Sequence, residues 1–204
     1  MKKNALFVLS FLAMFLPVLT LAGPPAKPKD NFTVDTQKSA VKWTAKSIKG
    51  GHFGNIRISS GSFQFDGKTI SSGSVLIDMN SIAVEDIEDA GRKERLTNHL
   101  KNDDFFSTQA FPEARLVITG SKPGKAGQLE ISGDLTIKGI TKPITFPAAI
   151  NAKDSQLEAV GTISVDRIQY GIKYRSKSVL DPSALADKLI YDEFTLDFKV
   201  VASR

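Results

Sequence analysis

Cysteine is absent from this 204-residue chain. Its absence excludes disulfides, a thiol nucleophile, a lipid-modified N-terminal cysteine and every thiolate metal site. Histidine is scarce, with only His52 and His99, and their separation matches no metal-ligand spacing. No Gly-x-Ser-x-Gly elbow, His-Glu-x-x-His pair or phosphate-cradling glycine loop occurs. The acidic run Glu85, Asp86, Glu88, Asp89 lacks the spacing of a calcium loop. Asp103–Asp104 and Asp192–Glu193 are adjacent pairs, which on a strand point to opposite faces and make poor paired acids. The expectation is a protein that is not an enzyme and carries no cofactor or metal. A dominant charge of one sign is also lacking: 27 basic residues stand against 22 acidic ones. That mild excess is no argument for nucleic acid, though it favours transient contact with an anionic membrane surface.

Long apolar runs are confined to the N-terminus. Lys2 and Lys3 precede an apolar stretch from Ala5 to Leu16, Pro17 breaks it, and Thr20-Leu21-Ala22 offers a small-x-small cleavage site. Residues 1–22 are therefore expected to be a signal peptide, making the mature protein periplasmic or secreted. The alternative is an uncleaved anchor, since Ala5 to Ala22 spans 18 residues. Prolines 24, 25 and 28 mark residues 23–31 as an extended linker. One domain, 32–204, is expected after it, with no internal repeat.

What the domain does contain is alternation. Leu129, Ile131, Gly133, Leu135 and Ile137 share one face, with Glu130, Ser132, Asp134, Thr136 and Lys138 on the other. Period two over ten residues predicts a half-buried strand. Ile144 to Ile150, Leu157 to Val165 and Phe194 to Val200 repeat the pattern. Eight strands are expected, at 40–46, 52–65, 68–79, 113–120, 127–138, 142–151, 155–166 and 190–201. In the second of them Ile56 and Ile58 are even-numbered but Phe63 and Phe65 odd, which requires a β-bulge within Ser59–Ser62. Short turns join most of these strands, with Asp66-Gly67 making a tight hairpin. An all-β, eight-stranded antiparallel up-and-down barrel follows, with a two-sheet sandwich as the runner-up.

Two insertions interrupt the meander. Arg92 to Asn102 has helical spacing, with Leu96, His99 and Leu100 on one face and Asp89 placed to cap it. Asp181-Pro182 opens a second short helix. One or two short helices should thus lie at the barrel ends. Phe105 and Phe106 follow the first and are candidates to plug the mouth; on an extended segment the two cannot both face inward.

Three segments in order carry a family resemblance. They are His-Leu-Lys-Asn-Asp-Asp-Phe-Phe with the following Phe-Pro (His99 to Pro112), Gly-Asp-Leu-Thr-Ile-Lys-Gly-Ile-Thr-Lys-Pro (Gly133 to Pro143), and Asp166-Arg167-Ile168-Gln169-Tyr170-Gly171-Ile172. Together they resemble the YceI-like family of secreted polyisoprenoid-binding proteins with a lipocalin-like barrel, over about Phe32 to Val201. The match departs at Lys138, where many relatives carry histidine. The resemblance implies the barrel rather than the sandwich. It also implies a carrier or store for isoprenoid-type lipids, such as quinones or their precursors.

An eight-stranded barrel is wide enough to be filled by its own side chains or to hold one ligand. Gly133, Ala148, Ala159 and Gly161 lie in the inward rows and leave volume there, although such glycines also serve close strand contacts. The expected apolar wall is Trp43, Phe53, Ile56, Ile58, Phe63, Phe65 and Ile77 from the first half of the chain. Leu100, Phe105, Phe106, Leu135, Ile137, Phe146, Ile163, Phe194 and Phe198 complete it. His99, Arg167 and Tyr170 are candidate headgroup contacts, although a structural role for His99 and an arginine–carboxylate pair at Arg167 are at least equal readings. The competing reading is an exported stress-related or interaction barrel with a filled core and no lipid cargo.

Overall fold

A computed structural model describes residues 29–179 and 186–204. The expected signal peptide and the Asp181-Pro182 helix start lie outside the described residues. The elements are β1 (Asp30–Val34), β2 (Ala40–Ser47), β3 (Gly50–Phe65), β4 (Ile70–Val84), α1 (Ala90–Lys101), β5 (Glu113–Pro123), β6 (Leu129–Ile137), β7 (Ile140–Lys153), β8 (Gln156–Asp166) and β9 (Ile190–Ser203). Every pairing is antiparallel. From β2 to β9 each strand pairs with its successor, and β9 pairs back onto β2. The sheet therefore closes into an eight-position barrel and no edge is left to aggregate. The sandwich is excluded.

β1 is the strand that periodicity did not predict. Its five residues begin inside the segment expected to be linker, and they pair with the end of β3 (Phe32 opposite Phe63) and with β9 (Val34 opposite Ala202). β1 and β2 thus occupy one barrel position in succession, interrupted by a turn at Asp35–Ser39. The Asp35 carboxylate accepts hydrogen bonds from the Gln37 and Lys38 amides in that turn.

The bulge in β3 falls where the phase change demands it. Ile58 pairs with Ile77 and Ser60 with Leu76, so Ser59 is the extra residue. All four flanking apolar side chains, Ile56, Ile58, Phe63 and Phe65, are buried as a result. A larger irregularity lies nearer the end of β4. Asn55 pairs with Ala83 but Arg57 with Asp78, so β4 carries four residues where β3 carries one. The excursion turns Met79 and Ile82 inward, both buried; Ser81 stabilises it by accepting from the Arg57 amide at 2.8 Å.

Gly133 and Gly161 face inward but do not open space. A Cβ on Gly133 would stand 2.5 Å from the Val117 carbonyl oxygen, and one on Gly161 would stand 2.5 Å from that of Pro147. Neighbouring backbone already occupies the volume, so both glycines serve close strand approach. Ala148 and Ala159 are the small residues that border free space.

The two barrel ends differ. At one end the turns are short and the interior is filled. Phe32 stacks on Phe63, with ring centroids 5.9 Å apart, and meets Phe65 edge-on at 6.3 Å. Leu157 and Ala202, fully buried, complete this floor. The other end carries α1 and the long β8–β9 connection. Asp89 caps α1 by accepting from the Arg92 amide at 2.7 Å, and Leu100 is the helix residue buried against the barrel.

Candidate functional site

Between the floor and the α1 end lie two apolar chambers of about 110 Å³ each. They share Val41, Ile77, Leu135 and Leu196, one residue from each of β2, β4, β6 and β9, which form a waist at mid-height. The lower chamber reaches from the waist toward the floor, between Phe63, Phe146 and Phe198 and over Ala148 and Ala159. The upper chamber runs from the waist to the α1 end, walled by Trp43, Ile56, Ile137 and Phe194. Each volume far exceeds the roughly 10–15 Å³ that one water requires, but space without polar partners stays dry and takes apolar guests.

Local chemistry sets the upper wall. The Trp43 indole N–H donates to the Ala83 carbonyl at 3.1 Å, so the one polar atom of this side chain is satisfied and its ring faces the chamber. Phe105 and Phe106 both line the chamber. On an extended segment only one of the two could face inward. The chain instead turns after α1, with the Phe106 amide donating to the Leu100 carbonyl at 3.1 Å, and a turn points neighbouring side chains to the same side. Phe106 meets Phe194 edge-on at 6.3 Å.

Among the described residues Arg167 contributes the one charged side chain in the wall. It begins a short 3₁₀ turn ended by Gly171, whose φ of 74° lies in the left-handed region that glycine tolerates. Its guanidinium donates to the carbonyls of Tyr191 (3.1 Å), Ile172 (2.9 Å) and Ile190 (3.0 Å), and to Asp192 at 3.4 Å. Burial pulls the guanidinium below its usual value, opposed by Asp192 and Asp166. For Asp192, burial raises the carboxyl, but hydrogen bonds from Ser176 and Ser178 and the Arg167 charge outweigh it, leaving the group below its usual value. This cluster fastens the β8–β9 connection to the start of β9. The structural pair is thus present, and the guanidinium has four of its five N–H groups engaged.

The remaining expected residues divide cleanly. Ile56, Ile77, Leu100, Leu135, Ile137 and Phe194 line the upper chamber, and Ile58, Phe63, Phe146, Ile163 and Phe198 the lower. Phe53 does neither. It is 38% exposed on the outer wall, with the Lys42 ammonium 4.1 Å from its ring centre. The bulge accounts for this: ahead of Ser59 the even-numbered residues face inward, so an odd-numbered Phe53 must face out. Phe65 is buried in the floor against Phe32, below the free space. Tyr170 is buried but off the chamber wall; burial and the Asp166 charge both raise its phenol pKa. His99 stands behind the wall, edge-on to Phe105 and to Tyr174 with centroids 4.9 Å apart in each case. Its Nε2 lies 2.9 Å from Asp104. It buttresses Phe105 and does not touch the chamber.

Residues that sequence reading did not place in the wall include Met79 and Ile82, delivered by the β4 excursion, and Ile172, Ile190 and Tyr191 from the β8–β9 connection. Met79 continues the alternation of Val75 and Ile77, but no period-two pattern reaches Ile82, Ile172 or Tyr191. Tyr191 is both a wall residue and 42% exposed, so the wall of the upper chamber reaches the protein surface there. Among the described residues no group of three His, Asp or Glu side chains gathers into a metal-binding arrangement.

The comparisons with known proteins bear on this architecture. A UPF0312 protein of Shewanella denitrificans is 32% identical over 154 residues, covering 72% of this chain and 73% of the relative. The crystal structure of BcnA from Burkholderia cenocepacia superposes with a TM-score of 0.67 at 22% identity, over 83% of this chain and 99% of that one. A polyisoprenoid-binding domain from Saccharophagus degradans, implicated in plant cell wall breakdown, gives 0.59 at 13% identity, over 84% and 97%. At these identities the two structures show a shared fold. The family model for the YceI-like domain matches residues 32–202, and the chain belongs to that family.

Proposed function

We propose that the protein is a non-catalytic binding protein that holds one isoprenoid-type lipid in its barrel, for storage or transport. The observation that carries this reading is the pair of apolar chambers stacked along the barrel, which share four wall residues, with the upper wall reaching the surface at Tyr191. That shape accommodates a flexible chain threaded through the waist better than a broad rigid ring system. Burial of apolar surface supplies the affinity, at about 0.8 kcal/mol per methylene. Three five-carbon units contribute roughly 12 kcal/mol gross by that measure, against about 8 kcal/mol for a micromolar complex, which leaves a margin for the lost freedom of the chain. The polyisoprenoid-binding domain of like fold supports the same class of guest.

The wall also limits the headgroup. Arg167 offers little unused hydrogen-bonding capacity, so a doubly charged head inside the barrel would be poorly compensated. The chain is recognised and the head stays near Tyr191, where the wall reaches the surface. Export belongs to the same proposal, with the mature protein starting at Gly23.

Native mass spectrometry of gently purified protein, with organic extraction of what it carries, tests the reading. The N-terminal residue is read from the same spectra, and a retained Met1 would count against export. Ala148→Leu adds three carbons to free space in the lower chamber. We expect several-fold lower lipid occupancy with little change in melting temperature. If the barrel is instead a filled interaction module, wild-type protein carries no lipid and the substitution overpacks the core at about 1–3 kcal/mol.

A further inference from the structure

Eight large apolar side chains of the described residues are exposed, and they are not evenly spread. Val117 and Val160 lie on the barrel flank. Ile48, Phe53, Phe111, Ile140, Val179 and Tyr191 belong to the α1 end, and none lies at the floor end. Three consecutive corners of that end form a continuous sector. Ile140 is in the β6–β7 corner, its Cδ1 3.5 Å from where a Cβ on Gly171 would stand, and Gly171 opens the β8–β9 connection. That connection carries Val179 and leads to Tyr191. The β2–β3 turn lies against it, with the Ile48 amide donating to the Leu189 carbonyl at 3.1 Å.

The charges of this sector have one predominant sign. Lys46 and Lys49 flank Ile48, and Lys173, Arg175, Lys177 and Lys188 lie along the described part of the β8–β9 connection, where Asp187 pairs with Lys49. The fourth corner, between β4 and β5, is mixed: Glu85, Asp86, Glu88 and Asp89 precede α1, which itself carries Arg92, Lys93, Arg95 and Lys101. Hydrophobic tips set among lysines, at the end of the barrel where the wall of an apolar chamber reaches the surface, complement an anionic lipid surface.

We infer that the sector of Ile48, Ile140, Val179 and Tyr191 docks the barrel on an anionic bilayer. The acidic run ahead of α1 is repelled by the same surface, so the barrel tilts with Tyr191 and the β8–β9 connection toward the lipid. The purpose of the contact, passage of cargo between bilayer and chamber, rests on the function proposed above; the contact itself does not.

Vesicle flotation tests it, using protein as recovered from cells. One set of vesicles is phosphatidylcholine with 30 mol% phosphatidylglycerol, the other phosphatidylcholine alone; the neutral set reports any contribution of the Ala5–Leu16 segment, which every variant shares. The wild type should float with the anionic vesicles and be released by 0.5 M salt. A lysine near such a surface contributes about fivefold to partitioning. K46E/K177E/K188E should therefore weaken binding at least tenfold, and I48S/V179S should weaken it at low salt, where the lysines are still engaged. K68E/K125E, at the floor end, should leave it unchanged. Equal binding to both vesicle types, or equal loss from the floor-end variant, would overturn the inference. So would a salt-resistant dimer of the wild type abolished by I48S/V179S, since the apolar tips would then face a second copy. Lipid extracted from the same preparations separates the two proposals. Cargo without flotation defeats the docking surface alone, and flotation without cargo defeats the carrier reading alone.

Discussion

The two ends of the barrel are built from the same kind of strand and do opposite things. At the floor, short turns bring aromatic rings together until no space remains: Phe32, Phe63 and Phe65 interlock. At the α1 end two of the four connections, β4–β5 and β8–β9, are long, the wall is completed by irregular segments, and the polar bonds of Arg167 join ring contacts such as Phe106 on Phe194. Closing a barrel end is thus a matter of connection length and side-chain size. An end stays open where the chain spends its residues on loops that lie across the rim without filling the interior.

If the ends are independent, each should fail alone. Arg167→Ala is expected to have the largest effect, because it leaves Asp192 and three carbonyls buried without their donor; about 3–5 kcal/mol is the usual cost. Hydrogen exchange should accelerate across 167–192 while the floor keeps its protection. Phe32→Ala comes next, at about 3 kcal/mol for a lost aromatic in a packed site, with faster exchange in β1 and the end of β3. Chemical denaturation gives both magnitudes. Exchange that rises everywhere in either variant would show one cooperative unit and dissolve the contrast.

The smallest effect belongs to the floor-end hairpin. Asp66 accepts from the Thr69 amide at 2.7 Å and the Lys68 amide at 2.8 Å, and these bonds, Thr69 first, hold its carboxyl below the usual value. A depressed native pKa means stabilisation that is present above the unfolded value, near 4, and lost as pH falls through the native one. Asp66→Asn should lower the melting temperature by about 1–2 °C at pH 7. The gap should close as the pH drops below about 4. A gap that persists at low pH would mean that the carboxylate charge contributes nothing there.

Much of this was legible from alternation. Eight of the nine strands, the Ser59 bulge and the Asp89 cap follow from period, parity and residue type, because each reports a local rule that the fold obeys. Parity says which face a residue occupies but not its height along the barrel axis. Phe65 and Phe63 share a face, yet Phe65 lies wholly in the floor while Phe63 also reaches the chamber. Parity had also to be applied on the correct side of the bulge, which is where the placement of Phe53 failed. Glycine in an inward row was ambiguous for a different reason: the sequence shows the missing side chain and not the carbonyl that occupies its place, as at Gly133 and Gly161. The part of the site nearest solvent was least readable, since Ile82, Ile172 and Tyr191 reach the wall through bends that carry no repeat.

The shared position of β1 and β2 has a consequence for how the barrel comes together. Both pair with β9, the last strand in the chain: Thr33 opposite Ser203 and Val41 opposite Phe198. The first-made staves must wait for the final one before the seam can shut, and contacts of such sequence separation form slowly. Until then the edges of β1 and β2 that face β9 lack their partner. A chain trimmed past Val34 would still close the upper half of the seam through β2. Its lower half would gape beside the floor, so the five residues from Asp30 to Val34 decide whether the vessel has one opening or two.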